Sequence, residues 1–330
     1  MVKFRLLFFL FFMSVSAQKH QLEAVTEPVG LGEGLHWDAD KQLLYFVDIT
    51  NSRINKFDPK TLEHTSTKVE GEGKPGFVFP IQDEENRYVI GTGREIRVIE
   101  WDGKQDSNLT YTEVIAKADA EKGSRFNDAK VDNNGIIWAG LMGPEPVPNK
   151  VKHVNSKMYS FDIRTKEFVP RIENIYISNG LAWTSDNKYM YWTDTGENKI
   201  EGFDYDLKSE NILSNRKTIF DFNKHKVEGK TDGITIDTDG NLYLACYGGY
   251  QVVVINPKLE KIIDTISVPA KEVTTVTFGG PNLNDLYIAT SQKGADADNL
   301  KKYPKTGAVF RIKNYPAQGY PGNPVPKYEK

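Results

Sequence analysis

The chain repeats itself, and the period decides what it can become. Six times a small residue opens an alternating apolar run. A polar turn, an aromatic and β-branched strand, and a third strand ending in a charged turn follow. The first copy runs Gly34-Leu35-His36-Trp37-Asp38, turns at Ala39-Asp40-Lys41, and continues through strands at 43–48 and 53–58. The fourth opens at Gly180-Leu181-Ala182-Trp183 with strands at 189–194 and 199–204; the fifth opens at Gly233-Ile234-Thr235-Ile236 with strands at 242–247 and 251–255. The openings fall near residues 34, 76, 129, 180, 233 and 275, a spacing of about 42 to 53 residues. Short runs of this composition, punctuated by Gly, Asn and Asp, read as antiparallel strands, and no stretch of similar length carries the helical period. A four-stranded propeller blade takes about 40 to 50 residues. The repeat therefore predicts an all-β fold, a six-bladed β-propeller. The last copy ends at Gly307–Ile312 without a fourth strand, and Gln21–Thr26 has the character to supply it. The expectation is a ring closed by the N-terminal strand, which leaves no open sheet edge.

Composition narrows the function. The 330 residues are 39% hydrophobic and 26% charged, with a formal charge of −3. That is ample for a core and carries no basic run of the kind nucleic-acid binding needs. Lys3 and Arg5, the apolar run Leu6–Met13 and the small residues Ser14–Ala17 predict a secretory signal over residues 1–17, too short to span a bilayer. The expected product is a secreted, extracellular protein with a propeller domain over 18–314 and a Pro-rich tail over 315–330. A single cysteine, Cys246, excludes an internal disulfide and reads as a buried thiol; Asn108-Leu109-Thr110 is a glycosylation sequon.

In a propeller the first strand of each blade lines the central channel. The residues just before the six openings are Glu33, Pro75, Asp128, Asn179, Asp232 and Thr274. Carboxylates crowded on an axis repel one another and lose hydration unless a cation neutralises them. Singly, Asp and Asn here also suit turns. Glu33, Asn179 and Asp232 at equivalent repeat positions point instead to a hard divalent cation with oxygen ligands. With no His or Cys in the ring, a typical zinc site is disfavoured. Just upstream of the third opening, Arg125 and Asn127 have the directed donors that hold an oxygen-rich substrate, though they equally suit a pinned loop. Glu145 follows the second strand of that repeat, either at the mouth or as a solvated loop residue. The letters Gly71-x-Gly73-x-x-Gly76 lead into a strand, so they are no dinucleotide fingerprint, and Asp237-Thr238-Asp239-Gly240 fills the turn position of its repeat rather than a calcium loop. No nucleophilic-serine, zinc-protease or phosphate-loop motif is present.

At these residues the chain resembles the gluconolactonase, regucalcin (senescence marker protein) and luciferin-regenerating enzyme family. The resemblance rests on Gly32-Glu33-Gly34 with Trp37, Ser124–Asp128 with Lys130-Val131-Asp132, Ile177–Trp183, Thr231-Asp232-Gly233, Ala245-Cys246-Tyr247 and Thr277–Gly280. It implies a metal set of Glu33, Asn179 and Asp232, general-base duty for Asp232, and substrate contacts from Arg125, Asn127 and Glu145. It also implies one divalent cation, calcium first, with zinc, manganese and magnesium open, and metal-dependent opening of a lactone or sugar-acid lactone by water. Ala129 stands where the family usually has Gly, and the secretory signal departs from its mostly cytosolic members. Two alternatives stand beside this: a secreted metal-binding propeller that carries a ligand without turnover, and a hydrolase acting on a different heterocycle. The physiological substrate and the oligomeric state are not encoded legibly.

Overall fold

The computed structural model describes residues 20–71, 73–147 and 150–329; the expected signal over 1–17 lies outside them. Strand β1 (Glu23–Ala24) comes first. Four separate four-stranded antiparallel sheets then follow the repeat. They are β2 (Gly32–Asp38), β3 (Leu43–Asp48), β4 (Arg53–Asp58) and β5 (Glu63–Lys68); then β6 (Pro75–Pro80), β7 (Arg87–Thr92), β8 (Glu95–Glu100) and β9 (Thr110–Lys117). The third is β10 (Arg125–Val131), β11 (Ile137–Met142), β12 (Ser156–Asp162) and β13 (Glu167–Ile175); the fourth is β14 (Ser178–Trp183), β15 (Tyr189–Asp194), β16 (Lys199–Tyr205) and β17 (Leu213–Asp221). A short helix, α1 (Phe222–His225), leads to the remaining strands: β18 (Lys230–Ile236), β19 (Leu242–Tyr247), β20 (Gln251–Asn256), β21 (Lys261–Ser267), β22 (Glu272–Gly279), β23 (Asp285–Ser291) and, after α2 (Ala297–Lys302), β24 (Phe310–Ile312). These join β1 in one eight-stranded sheet, in which β19 and β22 touch through the single pair Tyr247 and Glu272. β1 pairs with β24 at Glu23–Arg311 and Ala24–Phe310. The fold is all-β and propeller-like.

The polar turns form for a local reason. Asp38, Asp132, Asp186 and Asp237 each accept the backbone N–H two residues on, at 2.8 to 3.2 Å. A short carboxylate that mimics the backbone turn closes each hairpin. The core lies between sheets: Phe77, Phe79 and Val98 pack on Phe126, Ile137 and Phe161, while Trp138 and Met158 pack on Trp183 and Trp192. Trp37 stacks on Tyr287 at 5.6 Å, joining the first sheet to the last.

The first strands meet at the middle. β2 packs on β6, β6 on β10, β10 on β14, β14 on β18, β18 on β22, and β22 back on β2. Such approach demands glycine: a Cβ on Gly180 would sit 2.3 Å from the Ile234 nitrogen, and one on Gly76 2.5 Å from the Phe126 oxygen. The tail after residue 314 is bound to the fold. Val325 bridges Ile81, Gly319 bridges Asp237, and Tyr315, Val325 and Tyr328 are buried. Tyr320 to Asn323 cover a small cavity walled by residues of β2, β6, β10, β14, β18 and β22, among them His36, Lys130 and Thr277. Among the described residues no helix is long and apolar enough to cross a membrane.

Candidate metal centre

Every inner strand breaks register at the same place. The pairing shifts between Glu33 and His36, Pro75 and Phe77, Phe126 and Ala129, Ser178 and Leu181, Thr231 and Ile234, and Val273 and Thr275. A bulge bends its strand and re-aims a side chain. Glu33 sits at the edge of its bulge; Asn127 with Asp128, Asn179, Asp232 and Thr274 occupy theirs. Asp128, Asn179, Asp232 and Thr274 are thus released from the ladder, while Glu33 and Pro75 keep a pair at its edge, a device the repeat alone does not announce. The visible signal is a glycine directly after Glu33, Asn179 and Asp232.

The ring is chemically uneven. Pro75 pairs with Thr92, and Thr274 spends its hydroxyl on the Gly32 carbonyl at 2.6 Å. The other four are buried and polar: Glu33 at 7%, Asp128 at 8%, Asn179 at 4% and Asp232 at 4% exposure. Burial, and then the Asp128 charge, push the Glu33 carboxyl up to about 8, against relief from the Gly34 N–H and Arg125. Burial pushes Asp128 up to about 6 despite Lys130 and the Ala129 N–H. Asp232 is raised well above the carboxylate range by burial, then by Glu33 and Asp128, with the Asn179 amide working the other way. The structure therefore brings Glu33, Asn179 and Asp232 into one electrostatic site and adds Asp128 to it.

Two oxygens there are orphaned. Asn179 Oδ1 and Asp232 Oδ1 are both buried without a hydrogen-bond partner. The Asn179 orientation is set from behind: its Nδ2 donates to Thr195 Oγ1 at 2.9 Å, and that hydroxyl donates to the Thr231 carbonyl at 2.8 Å. Thr193 Oγ1 holds the Asp232 carbonyl at 3.0 Å. Both threonines escaped the sequence reading, since only the fold turns them toward the next sheet. Acceptors without donors, beside carboxylates that repel, fit a hard cation. Among the described residues no three His, Cys, Asp or Glu side chains gather closely enough to hold an ion by themselves, so the Asn179 oxygen is needed to complete such a set. Cys246 is buried behind Asp232, its thiol pushed up to about 12 chiefly by burial.

Around the mouth, Asn127 Nδ2 donates to the Ser178 carbonyl at 2.9 Å. Arg125 Nη1 donates to the Phe126 carbonyl at 3.0 Å. Burial lowers the Arg125 guanidinium to about 10, while Glu145 and then Glu33 favour its charge. Glu145 takes an ion pair from Lys293 at 2.7 Å, joining loops 148 residues apart. Arg125, Glu145 and Lys293 line a cleft of about 360 Å³.

A propeller-like fold with buried carboxylates at its inner strands defines a class of protein, and comparison with known proteins narrows it. A family model described as SMP-30/Gluconolactonase/LRE-like region matches residues 31–292, and the chain belongs to that family. It is 32% identical over 300 residues to regucalcin of Xenopus laevis, covering 89% of this chain and 94% of that one. A solved luciferin-regenerating enzyme shares 32% identity with a TM-score of 0.85, covering 93% of this chain and 100% of the other. A structure described as a calcium-binding protein, regucalcin, from Agrobacterium tumefaciens strain C58 has a TM-score of 0.80 over 93% of this chain and 98% of its own, at 19% identity. That last likeness speaks to fold.

Proposed function

We propose that the protein is a divalent-metal-dependent hydrolase that opens a lactone ring, exported after loss of residues 1–17. Its architecture is read as six blades, the eight-stranded sheet being two four-stranded blades that share one bridge, with β1 closing the ring onto β24. The observation that carries the chemistry is the pair of orphaned oxygens, Asn179 Oδ1 and Asp232 Oδ1, buried beside Glu33 in a member of this family. Glu33, Asn179 and Asp232 would hold the ion, calcium first. When bound, a dication supplies Lewis acidity toward a carbonyl oxygen.

The chain's own residues do the rest. Asp232, with one carboxylate oxygen toward the ion, would use the other to accept a proton from the attacking water as the water oxygen bonds to the lactone carbonyl carbon. The ring C–O bond then breaks as Asp232 returns its proton to the ring oxygen, which leaves as the hydroxyl of a hydroxy acid. Asn127, whose nitrogen is committed to Ser178, presents its amide oxygen to a substrate hydroxyl. Arg125 has N–H groups beyond the one given to Phe126, and with Glu145 it orients the sugar-like portion; positioning of this kind supplies much of a catalyst's advantage. The substrate is a small molecule, with no nucleic acid or membrane involved.

The test is hydrolysis of an aldonolactone by exhaustively chelated protein, with single ions added back. Turnover should vanish on chelation and return with one dication. Turnover that survives chelation overturns the metal requirement, and ion binding without turnover selects the ligand-carrying propeller. A second reading, hydrolysis of a different heterocycle, is favoured by the 0.85 TM-score and 32% identity to the luciferin-regenerating enzyme. Screening non-lactone heterocycles under the same add-back conditions separates the two.

A further inference from the structure

The cleft beside the channel mouth has a charge the chain as a whole lacks. The protein carries a formal charge of −3, yet this cleft is lined by Lys74, Arg94, Lys117, Lys122, Arg125 and Lys293 against only Glu95 and Glu145. Two of the cations are answered: Lys117 pairs with Glu95 at 2.8 Å and Lys293 with Glu145 at 2.7 Å. Arg94 donates to the Ala120 carbonyl at 2.5 Å and meets no contacting carboxylate among the described residues, while Arg125 donates to the Phe126 carbonyl at 3.0 Å and has Glu145 and Glu33 near its charge. Lys74 and Lys122, both exposed, like Arg94 have no carboxylate partner there. A second observation is independent of charge. Ser124 Oγ, in the cleft wall, is buried with no hydrogen-bond partner, its residue only 3% exposed. A concave site of about 360 Å³ suits a small molecule. Cations of one sign around it focus the field on an incoming anion.

We propose that this cleft binds an anionic oxygen group, a carboxylate or a phosphate monoester, carried by the substrate at a distance from the bond that is cleaved. Lys74 and Lys122 supply charge at the rim, and Arg94 and the Ser124 hydroxyl supply directed donors inside. The assignment deepens the hydrolase reading by naming the substrate class, a lactone with a fixed negative charge, but its binding test stands apart from turnover.

The full chain, in chelator, is titrated calorimetrically with glucitol 6-phosphate, glucuronate and neutral glucitol, at low salt and again near 300 mM. The anionic probes should bind at least about tenfold more tightly than glucitol, with the margin shrinking severalfold at high salt as the field is screened. Tighter binding of glucitol 6-phosphate assigns a phosphate site, and tighter binding of glucuronate a carboxylate site. Combined Lys74→Gln and Lys122→Gln, both at exposed positions, should bring the ratio of charged to neutral affinity close to one; Ser124→Ala should lower it more modestly. Equal affinity for charged and neutral probes, or a preference untouched by the double substitution, overturns the proposal. An aldonolactone assay run in parallel separates the two claims: preference without turnover removes only the hydrolase reading, and turnover without preference removes only this one.

Discussion

Asp194 and Asp232 lie 38 residues apart, in neighbouring repeats, and are equally buried, at 3% and 4% exposure. Their surroundings are opposite. Asp194 accepts the backbone N–H groups of Tyr176, Ile177 and Gly196 at 2.9 to 3.0 Å, tying the start of β14 to the end of β15. Asp48 does the same in the first repeat, holding Gly30 and Leu31. Among the described residues Asp232 Oδ1 has no donor, and Glu33 and Asp128 receive only the N–H of the residue that follows each of them. One repeat unit thus makes two kinds of buried carboxylate. The kind satisfied by backbone donors builds the sheet ends; the kind left unsatisfied gathers where the first strands of the repeats pack together.

Substitution should expose this division at once. Asp232→Asn is expected to cut lactone turnover by about a thousandfold or more, because it removes a proton acceptor and an anionic ligand together. In chelator its thermal stability should stay equal to wild type or rise, since a buried repelled charge has gone. Asp194→Ala should behave in reverse, losing about 2 to 4 kcal/mol of unfolding free energy by stripping the partner from three N–H groups, those of Tyr176 and Ile177 part-buried. Denaturant melts of both variants, with turnover measured on the folded fraction, check the pair. A marked loss of stability in Asp232→Asn would mean that the axis carboxylate is structural after all.

Proton linkage offers a gentler probe. Burial lifts Glu33 from 4.5 to about 8 and Asp128 from 3.8 to about 6. Over the interval between those values the folded chain holds protons that the unfolded chain has released. Stability in chelator should therefore decline as pH rises toward 8, most plainly above about pH 6.5, where the buried His36 that works the other way is neutral in both states, by up to a few kcal/mol. A saturating dication takes the place of those protons and should flatten or reverse the slope. Melting temperatures across that range, with and without ion, give the answer; a chelated protein that gains stability between about pH 6.5 and 8 contradicts the burial of the Glu33 carboxyl.

What could be read from the sequence follows from which interactions are local. Strands such as Leu43–Asp48 and Tyr189–Asp194 emerge where the alternation placed them, because hairpin strands and Asx turns are encoded within a few residues. The convergence of Glu33, Asn179 and Asp232 followed from repeat phase. Asp128, noted in the ring but left out of the ligand set, joins the same electrostatic site. The bulges were not legible, since a one-residue slip in pairing leaves no mark on hydrophobic periodicity. Nor was the Glu145–Lys293 pair, which depends on two loops from distant repeats meeting. The Pro-rich end, set apart as a tail, packs Val325 and Tyr328 among the aromatic residues of β6 and β10; extended backbone without periodicity carries no signal of its destination.

The subtlest difference between the two kinds of carboxylate lies one shell out, at Thr195. Its hydroxyl receives the Asn179 Nδ2 hydrogen and passes its own to the Thr231 carbonyl, so it fixes which end of the amide faces the channel. Residues in this position typically alter ion affinity about ten- to a hundredfold. Thr195→Val keeps the shape and removes both bonds, which frees the amide to turn its nitrogen inward. Ion affinity, measured by competition with a chromophoric chelator, should fall about tenfold while the chelated melting temperature moves little. Thr195→Ser should restore it, because the hydroxyl rather than the methyl sets the amide. If valine and serine bind the ion alike, Asn179 is oriented by packing, and the orphaned oxygen loses its claim to be a ligand.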